Sequence, residues 1–273
     1  MRHKSPYSGA IRHVRANWPI YVLAYVGIVL ALLLIGVSLQ QGWLSFVPLS
    51  MALLLLLSYF LVAALWAAHQ LYDFTGLQPY HVLFDMGQLR ATDTFVYVDL
   101  GVRDFALQLS RRLTSGKIYV IDVYNPQWAT SQSLKRYRVR QPHAANDPRL
   151  VWQNGRIDLL PLPDASVSTV ILHRVASEFW QRGDRLALLQ EIYRILTPNG
   201  RVLMAERVRS QTNWLVMGPG ALQLGSLDDW RELLQEAGFT VQKEADLQGL
   251  IHCFRADKPA ANQGRQLTFS LPL

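Results

Sequence analysis

The pattern of apolar and polar positions divides this chain near residue 72. No Asp, Glu, Lys or Arg occurs in residues 17–72. Within that window "WPIYVLAYVGIVLALLLIGVSLQ" (residues 18–40) and "WLSFVPLSMALLLLLSYFLVAALWAA" (residues 43–68) are separated by Gln41 and Gly42. A membrane-crossing helix needs roughly 20 apolar residues, and lipid offers backbone groups no partners, so both runs are predicted to be helical spans. Trp18, Tyr21, Trp43 and Trp66 stand near the run ends, where amphipathic rings favour the membrane interface. Pro48 could kink the second span without abolishing it. A cleaved signal would be shorter, would have a small-residue cleavage site and would not be followed at once by a second span, so the pair is expected to stay as an anchor.

Beyond residue 95 the period changes. "TFVYVDL", "KIYVIDV", "STVILHRV" and "GRVLMAERV" are short, β-branched runs that predict strands. "FALQLSRRL" has helical spacing. "DRLALLQEIYRIL" predicts a helix with Leu186, Leu189, Ile192 and Leu196 on one face, stopped by Pro198 and Gly200. "SLDDWRELLQEAGF" predicts another, with Ser226 as N-cap and Gly238 as its end, and "TVQKEADLQGLIHCFRADK" predicts two final strands. Alternation of strand and helix implies an α/β fold, a doubly wound and mostly parallel sheet, here preceded by a transmembrane α-hairpin. The expected organisation is a basic N-terminus over residues 1–17, two spans over 18–70, a linker or amphipathic segment over 71–94, the α/β domain over 95–259 and a loose tail over 260–273. Residues 124–148 are expected to form an irregular insert.

Composition supports the split. Half of the 273 residues are hydrophobic and 17% are charged, an apolar balance for a soluble protein. Of the net +7, four charges come from Arg2, Lys4, Arg12 and Arg15 before the first span. By the positive-inside rule this end stays cytoplasmic, and two spans return the α/β domain to the same side, beside the lipid bilayer. The rest of the chain is only mildly basic, so no nucleic-acid partner is expected. Cys253 is the single cysteine, which excludes a disulfide framework and a thiolate metal cluster.

Ligands of an open α/β sheet gather beyond the carboxyl ends of its strands. Asp99 and Gly101 stand there after the first strand. Asp122 ends the second, at a spacing where a carboxylate can accept hydrogen bonds from a ribose; each acid can equally be a polar strand end. Downstream, "NGRIDLLPLPDASVSTVILHRV", "EIYRILTPNGRVLMAERV", "WRELLQEAGF" and "RADKP" follow in order. Taken together, residues 94–259 resemble the class I S-adenosylmethionine-dependent methyltransferases, particularly the small-molecule and lipid-type branch, with their Rossmann-like fold. The resemblance implies S-adenosylmethionine as cofactor and a small-molecule or lipid acceptor. It places Asp99 and Gly101 beside the methionyl part, Asp122 on the ribose, and the loop of Gly155 to Asp158 at the adenine edge. His173 and Arg174 would face the substrate, His173 being the candidate for a catalytic role or a surface residue at a strand end. The family's Asp-x-Gly-x-Gly-x-Gly reads here Asp99, Leu100, Gly101, Val102, Arg103, Asp104, Phe105, so Arg103 and Phe105 bring bulk in or beside a space that glycine usually leaves open. Arg103 could instead pair with the methionyl carboxylate. The usual adenine-contacting acid falls on Arg156, with Asp158 as the nearby substitute. Two functions therefore stand side by side: a membrane-tethered methyltransferase, or a methyltransferase-like binding module that has lost its cofactor. A dehydrogenase is disfavoured, because it too needs the missing glycines.

Overall fold

The run Phe95–Asp99 is buried at every position, as expected of a strand covered on both faces of a sheet. A computed structural model describes residues 7–73, 75–127, 131–139 and 147–260 of the chain. It divides into two compact units: residues 1–78, 132–139 and 209–223 form one, and the remainder forms the other.

The first unit opens with α1 (Ser8–Ala16), then α2 (Trp18–Gln40) and α3 (Val47–Tyr72), which pack as a hairpin. Between α2 and α3 the chain turns through Gly42 at φ +70° and a 3-10 turn at Leu44–Phe46. Small residues let the two helices approach: Ala31, Ser38 and Ser50 are buried while most of the leucines face outward. Pro48 does not kink α3. It falls in the first turn, where its missing N–H would have had no partner anyway. Asp73 ties the two ends of the hairpin together, its Oδ1 accepting from Gly9 N (2.7 Å) and Ala10 N (3.0 Å) at the start of α1 while Oδ2 meets His69 Nδ1 at 2.8 Å.

The second unit begins with α4 (Pro79–Met86), whose Tyr80, Leu83 and Phe84 are buried. Then come β1 (Phe95–Asp99), α5 (Asp104–Ser110) and β2 (Ile118–Asp122). The stretch expected to be an irregular insert contains α6 (Gln132–Val139), grouped with the hairpin unit; residues 128–130 and 140–146 of that stretch lie outside the described residues. Next are β3 (Leu150–Asn154), β4 (Val167–His173), α7 (Arg182–Ile195) and β5 (Leu196–Glu206). After β5 the chain passes through α8 (Gln211–Met217) and a 3-10 turn at Gly218–Gln223, also in the hairpin unit, before α9 (Leu227–Glu236), β6 (Thr240–Leu247) and β7 (Ile251–Asp257). The tail from residue 261 lies outside the described residues.

The sheet order is β3-β2-β1-β4-β5-β7-β6, parallel except where β7 pairs with β5 and β6. Strand order reverses between β1 and β4, the position where such sheets bind ligands. On α7 the buried face is Leu188, Leu189, Ile192 and Ile195. Leu186 is only half-buried and Leu196 already belongs to β5, so the expected face is rotated by one position. The helix ends, but the chain does not pause at Pro198 and Gly200: strand pairing resumes at once, with Asn199 at φ +61° absorbing the turn. At α9 the local chemistry matches the expectation, since Ser226 Oγ accepts from Asp229 N while Asp229 Oδ2 accepts from Ser226 N, and Gly238 ends the helix at φ +94°.

Candidate functional site

Parallel register brings Asp99, Asp122 and Asn154 into one row at the carboxyl ends of β1, β2 and β3. Residues in register point to the same face of a sheet. Asp99 and Asp122, 23 positions apart in sequence, are therefore neighbours on one edge.

Asp99 is 2% exposed and works on its own turn. Its Oδ2 accepts from Arg103 N at 3.0 Å, closing a loop in which Gly101 lies at φ +75° and Arg103 at φ +58°. The turn thus keeps a left-handed backbone at position 103 although the side chain there is arginine, a conformation that costs a non-glycine residue about 1 kcal/mol. The Arg103 guanidinium passes toward β3 and lies over the Trp152 ring, 5.5 Å from its centroid. Phe105 does not enter the turn. It is buried between Tyr97 (5.4 Å between centroids) and His173 (4.0 Å, planes 12° apart), so the expected obstruction at this position is core packing instead. Burial and the adjacent Asp99 hold the Tyr97 hydroxyl well above its ordinary pKa.

At the end of β2, Asp122 Oδ1 accepts from Tyr124 N at 3.0 Å, an Asx turn that fixes the carboxyl group at the strand end. Gly155 follows β3 and gives its N–H to Asp122 O. A Cβ there would come within 2.5 Å of Ile121 Cγ2 and 3.1 Å of Pro161 Cδ, so the glycine is required by packing. Asp158 is held by Arg156 in a two-pronged fork (2.9 and 2.7 Å), which draws its carboxyl below the usual carboxylate range; both side chains are exposed. The loop beyond them is anchored by Arg194 of α7, which donates to Leu160 O, Leu162 O, Asp164 and Glu191.

Across the switch point, β4 ends at His173. Its Nε2 is enclosed without a hydrogen-bond partner, and burial, with Arg174 adding to it, pushes the ring well below the ordinary histidine pKa. The ring packs on Phe105 and does not protrude from the strand end. Arg174 follows at φ +54°, and the next turn is held by a residue that the sequence motifs did not single out. Glu206, fully buried at the end of β5, accepts from Val175 N and Ala176 N (3.0 Å each) through Oε1 and from Ser177 N (3.3 Å) through Oε2. Desolvation raises its pKa against those bonds. The available signal was a lone acid closing the apolar run "VLMAE", as Asp99 closes "VYVD" and Asp122 closes "YVID". Nothing in the sequence marked Trp152.

Residues 98–204 match the family model described as a methyltransferase domain. A Mycolicibacterium smegmatis protein described as a "probable S-adenosylmethionine-dependent methyltransferase" is 32% identical over 117 residues, covering 40% of this chain. The chain spans only 41% of that relative's length. Among solved structures, a methyltransferase from Aquifex aeolicus superposes with a TM-score of 0.52 at 19% identity, covering 66% of this chain and 89% of its own. The cyclase SpnF superposes at 0.53 and 16% identity, covering 70% and 83%. At such identity these two likenesses speak for the fold alone.

Proposed function

We propose that the segment matching the methyltransferase family model is a class I S-adenosylmethionine-dependent methyltransferase domain, and that the chain is a methyltransferase tethered to a membrane by α2 and α3, acting on a small-molecule or lipid acceptor. The observation that carries the enzymatic reading is the shared row of Asp99 and Asp122 beside the β1/β4 switch point, within the segment that matches the family.

The residues fit the cofactor in two of its three parts. Asp122, held at the strand end by Tyr124 N, offers a carboxylate to the ribose diol. Gly101 brings backbone without a Cβ to the methionyl side, and Asp99 keeps that turn closed through Arg103 N. Arg103 supplies a cation for the methionyl carboxylate. Its attraction to Trp152 is worth about 0.5–2 kcal/mol, less than a desolvated charge-assisted pair offers, so the side chain can exchange one partner for the other. At the adenine edge, Gly155 shapes the loop while Asp158 is engaged by Arg156. When bound, S-adenosylmethionine supplies an electrophilic methyl group on a sulfonium. The protein's part is then to align an acceptor in line with it, and no protein nucleophile is required. His173, neutral and enclosed, serves by carrying Phe105 and hence the β1 turn.

The tether reading rests on exposure. The spans Trp18–Gln40 and Leu44–Tyr72 are 23 and 29 residues long, and their apolar 18-residue windows have mean hydropathy 2.8 and 2.3 and are only 6% buried. Leu23 and Leu49 are 73% and 69% exposed, surface that water penalises and lipid accepts. Because α1 is pinned to the end of α3 by Asp73, the basic N-terminal helix and the end of the second span lie on one side, the one that the positive-inside rule makes cytoplasmic.

The Arg156–Asp158 fork favours a second reading, a membrane-bound interaction module without cofactor. Calorimetric titration of the full chain in detergent with S-adenosylmethionine and with its demethylated product separates the two. Micromolar binding, weakened at least tenfold in Asp122→Ala by loss of hydrogen bonds to a charged group worth about 1.5–3 kcal/mol, is the result expected of the enzyme. No heat with either ligand at high micromolar concentration is the result expected of the module.

A further inference from the structure

We propose that residues 211–223, comprising α8 and the 3-10 turn after it, form a third membrane contact: they lie in the interfacial layer of an anionic bilayer against α3, in the unit that also carries the basic residues of α1 and α6. The proposal rests on the reading of α2 and α3 as spans, and all of the elements involved belong to the hairpin unit.

From Ser210 to Leu227 the chain again carries no charged residue. Trp214, Leu215 and Leu222 are 40%, 60% and 59% exposed, although they lie outside the two spans. Their neighbours hold the segment to α3. A Cβ on Gly218 would stand 3.3 Å from the Phe60 ring, so glycine at φ +56° allows the turn to sit flat on the helix. Phe60 lies six residues before Trp66, the interface ring of that span, or about 9 Å along the helix axis. Amphipathic surface segments bury their apolar face to a depth of about 5–10 Å. The exposed apolar surface of α8 thus continues the exposed apolar surface of α3 at the level where head groups give way to acyl chains.

Charge identifies the kind of bilayer. Among the described residues, the hairpin unit holds Arg12, Arg15, Lys135, Arg136, Arg138 and Arg209 against Asp73 alone. The described residues of the other unit carry 17 Lys and Arg against 19 Asp and Glu, so the positive charge is concentrated in the hairpin unit. The single carboxylate is consumed at the start of α1. Within the unit α6, with its three cations, packs against α1. A basic unit that also carries an uncharged, Trp-bearing segment matches a surface of anionic head groups over hydrocarbon.

The test uses the full chain in nanodiscs of equal parts phosphatidylcholine and phosphatidylglycerol. Buried Cys253 is left in place, and an environment-sensitive fluorophore is attached through Leu215→Cys, Leu222→Cys, Leu56→Cys in the span or Gln181→Cys on the exposed surface of the other unit. Blue-shifted emission at 215 and 222, quenched by lipid-borne nitroxide as at 56 and shielded from the aqueous iodide that quenches at 181, is expected. Labels at 215 and 222 that behave like 181 while 56 remains in lipid overturn the proposal and leave the spans intact. A wet label at 56 overturns the spans as well. Replacing phosphatidylglycerol by phosphatidylcholine should shift 215 and 222 toward water with 56 unchanged, and an unchanged signal at 215 and 222 overturns the role given to the basic residues of this unit.

Discussion

The turns that follow β1 and β4 stand side by side at the switch point of the sheet and meet similar demands in different ways. Each places an arginine in the left-handed region, Arg103 at φ +58° and Arg174 at φ +54°. Each is held by a buried carboxylate that gathers backbone N–H groups. In the β1 turn the carboxylate is local: Asp99 accepts from the amide four residues along. In the β4 turn it comes from the neighbouring strand, Glu206, about 30 residues away, and takes three. Phe105 on His173 joins the two turns. The difference teaches that conformations usually left to glycine can be enforced by a buried acceptor, and that this acceptor can be local in the chain or come from a neighbouring strand.

The largest effect should follow from removing that acceptor. Glu206→Ala leaves two buried donors and a part-buried one, the buried ones costing about 1–3 kcal/mol each if neither finds water, so chemical denaturation should show a loss of about 3 kcal/mol; an unchanged stability would mean that the β4 turn does not depend on this acceptor. Asp99→Ala should cost about 1–2 kcal/mol by the same reasoning. Next, the two carboxylates should differ in pH response. Burial raises the Glu206 pKa above its ordinary 4.5, so the folded state holds the proton more tightly than the unfolded one. The resulting stability is complete below about pH 4.5 and is lost as pH rises through the folded value. The unfolding free energy of wild type relative to Glu206→Gln should therefore fall from acid toward neutral pH, and a rise would mean that the folded state binds this proton more weakly. Arg103→Gly should change stability by no more than about 0.5 kcal/mol, because relief of the left-handed backbone and loss of the contact with Trp152 are both near 1 kcal/mol. Its cofactor affinity should fall, and tighter binding would mean that Arg103 obstructs the turn. The smallest effect concerns Cys253, paired with Ala205 next to Glu206, whose thiol burial pushes up to about 12. It should resist alkylation at neutral pH in wild type and react faster in Glu206→Ala.

What the sequence disclosed depended on range. The hairpin was legible because its signal is a long uncharged run, and the α9 cap because Ser226 and Asp229 stand three residues apart. Strands β1, β2 and β4 were legible as β-branched apolar runs. Helix α6, by contrast, buries only Leu134 in a polar and basic segment and so lacks the periodicity that betrays a helix. Pro48 was legible as proline, though not as a first-turn proline, because the 3-10 turn before it shifts the helix start. At the site, Asp99, Gly101 and Asp122 could be placed from strand ends alone. The directions taken by Arg103 and Phe105 could not, since they depend on Trp152, Tyr97 and His173, brought near only by the folded sheet.

The central claim is that the carboxyl edge of β1 and β2 receives an adenosyl sulfonium. Hydrogen exchange of the full chain in nanodiscs, with and without saturating S-adenosylmethionine, addresses it most directly. The account predicts slowed exchange at the amides from Gly101 to Phe105 and at Val123 and Tyr124, and loss of that protection in Asp122→Ala. Unchanged exchange at both turns, or protection confined to residues remote from β1 and β2, would contradict it.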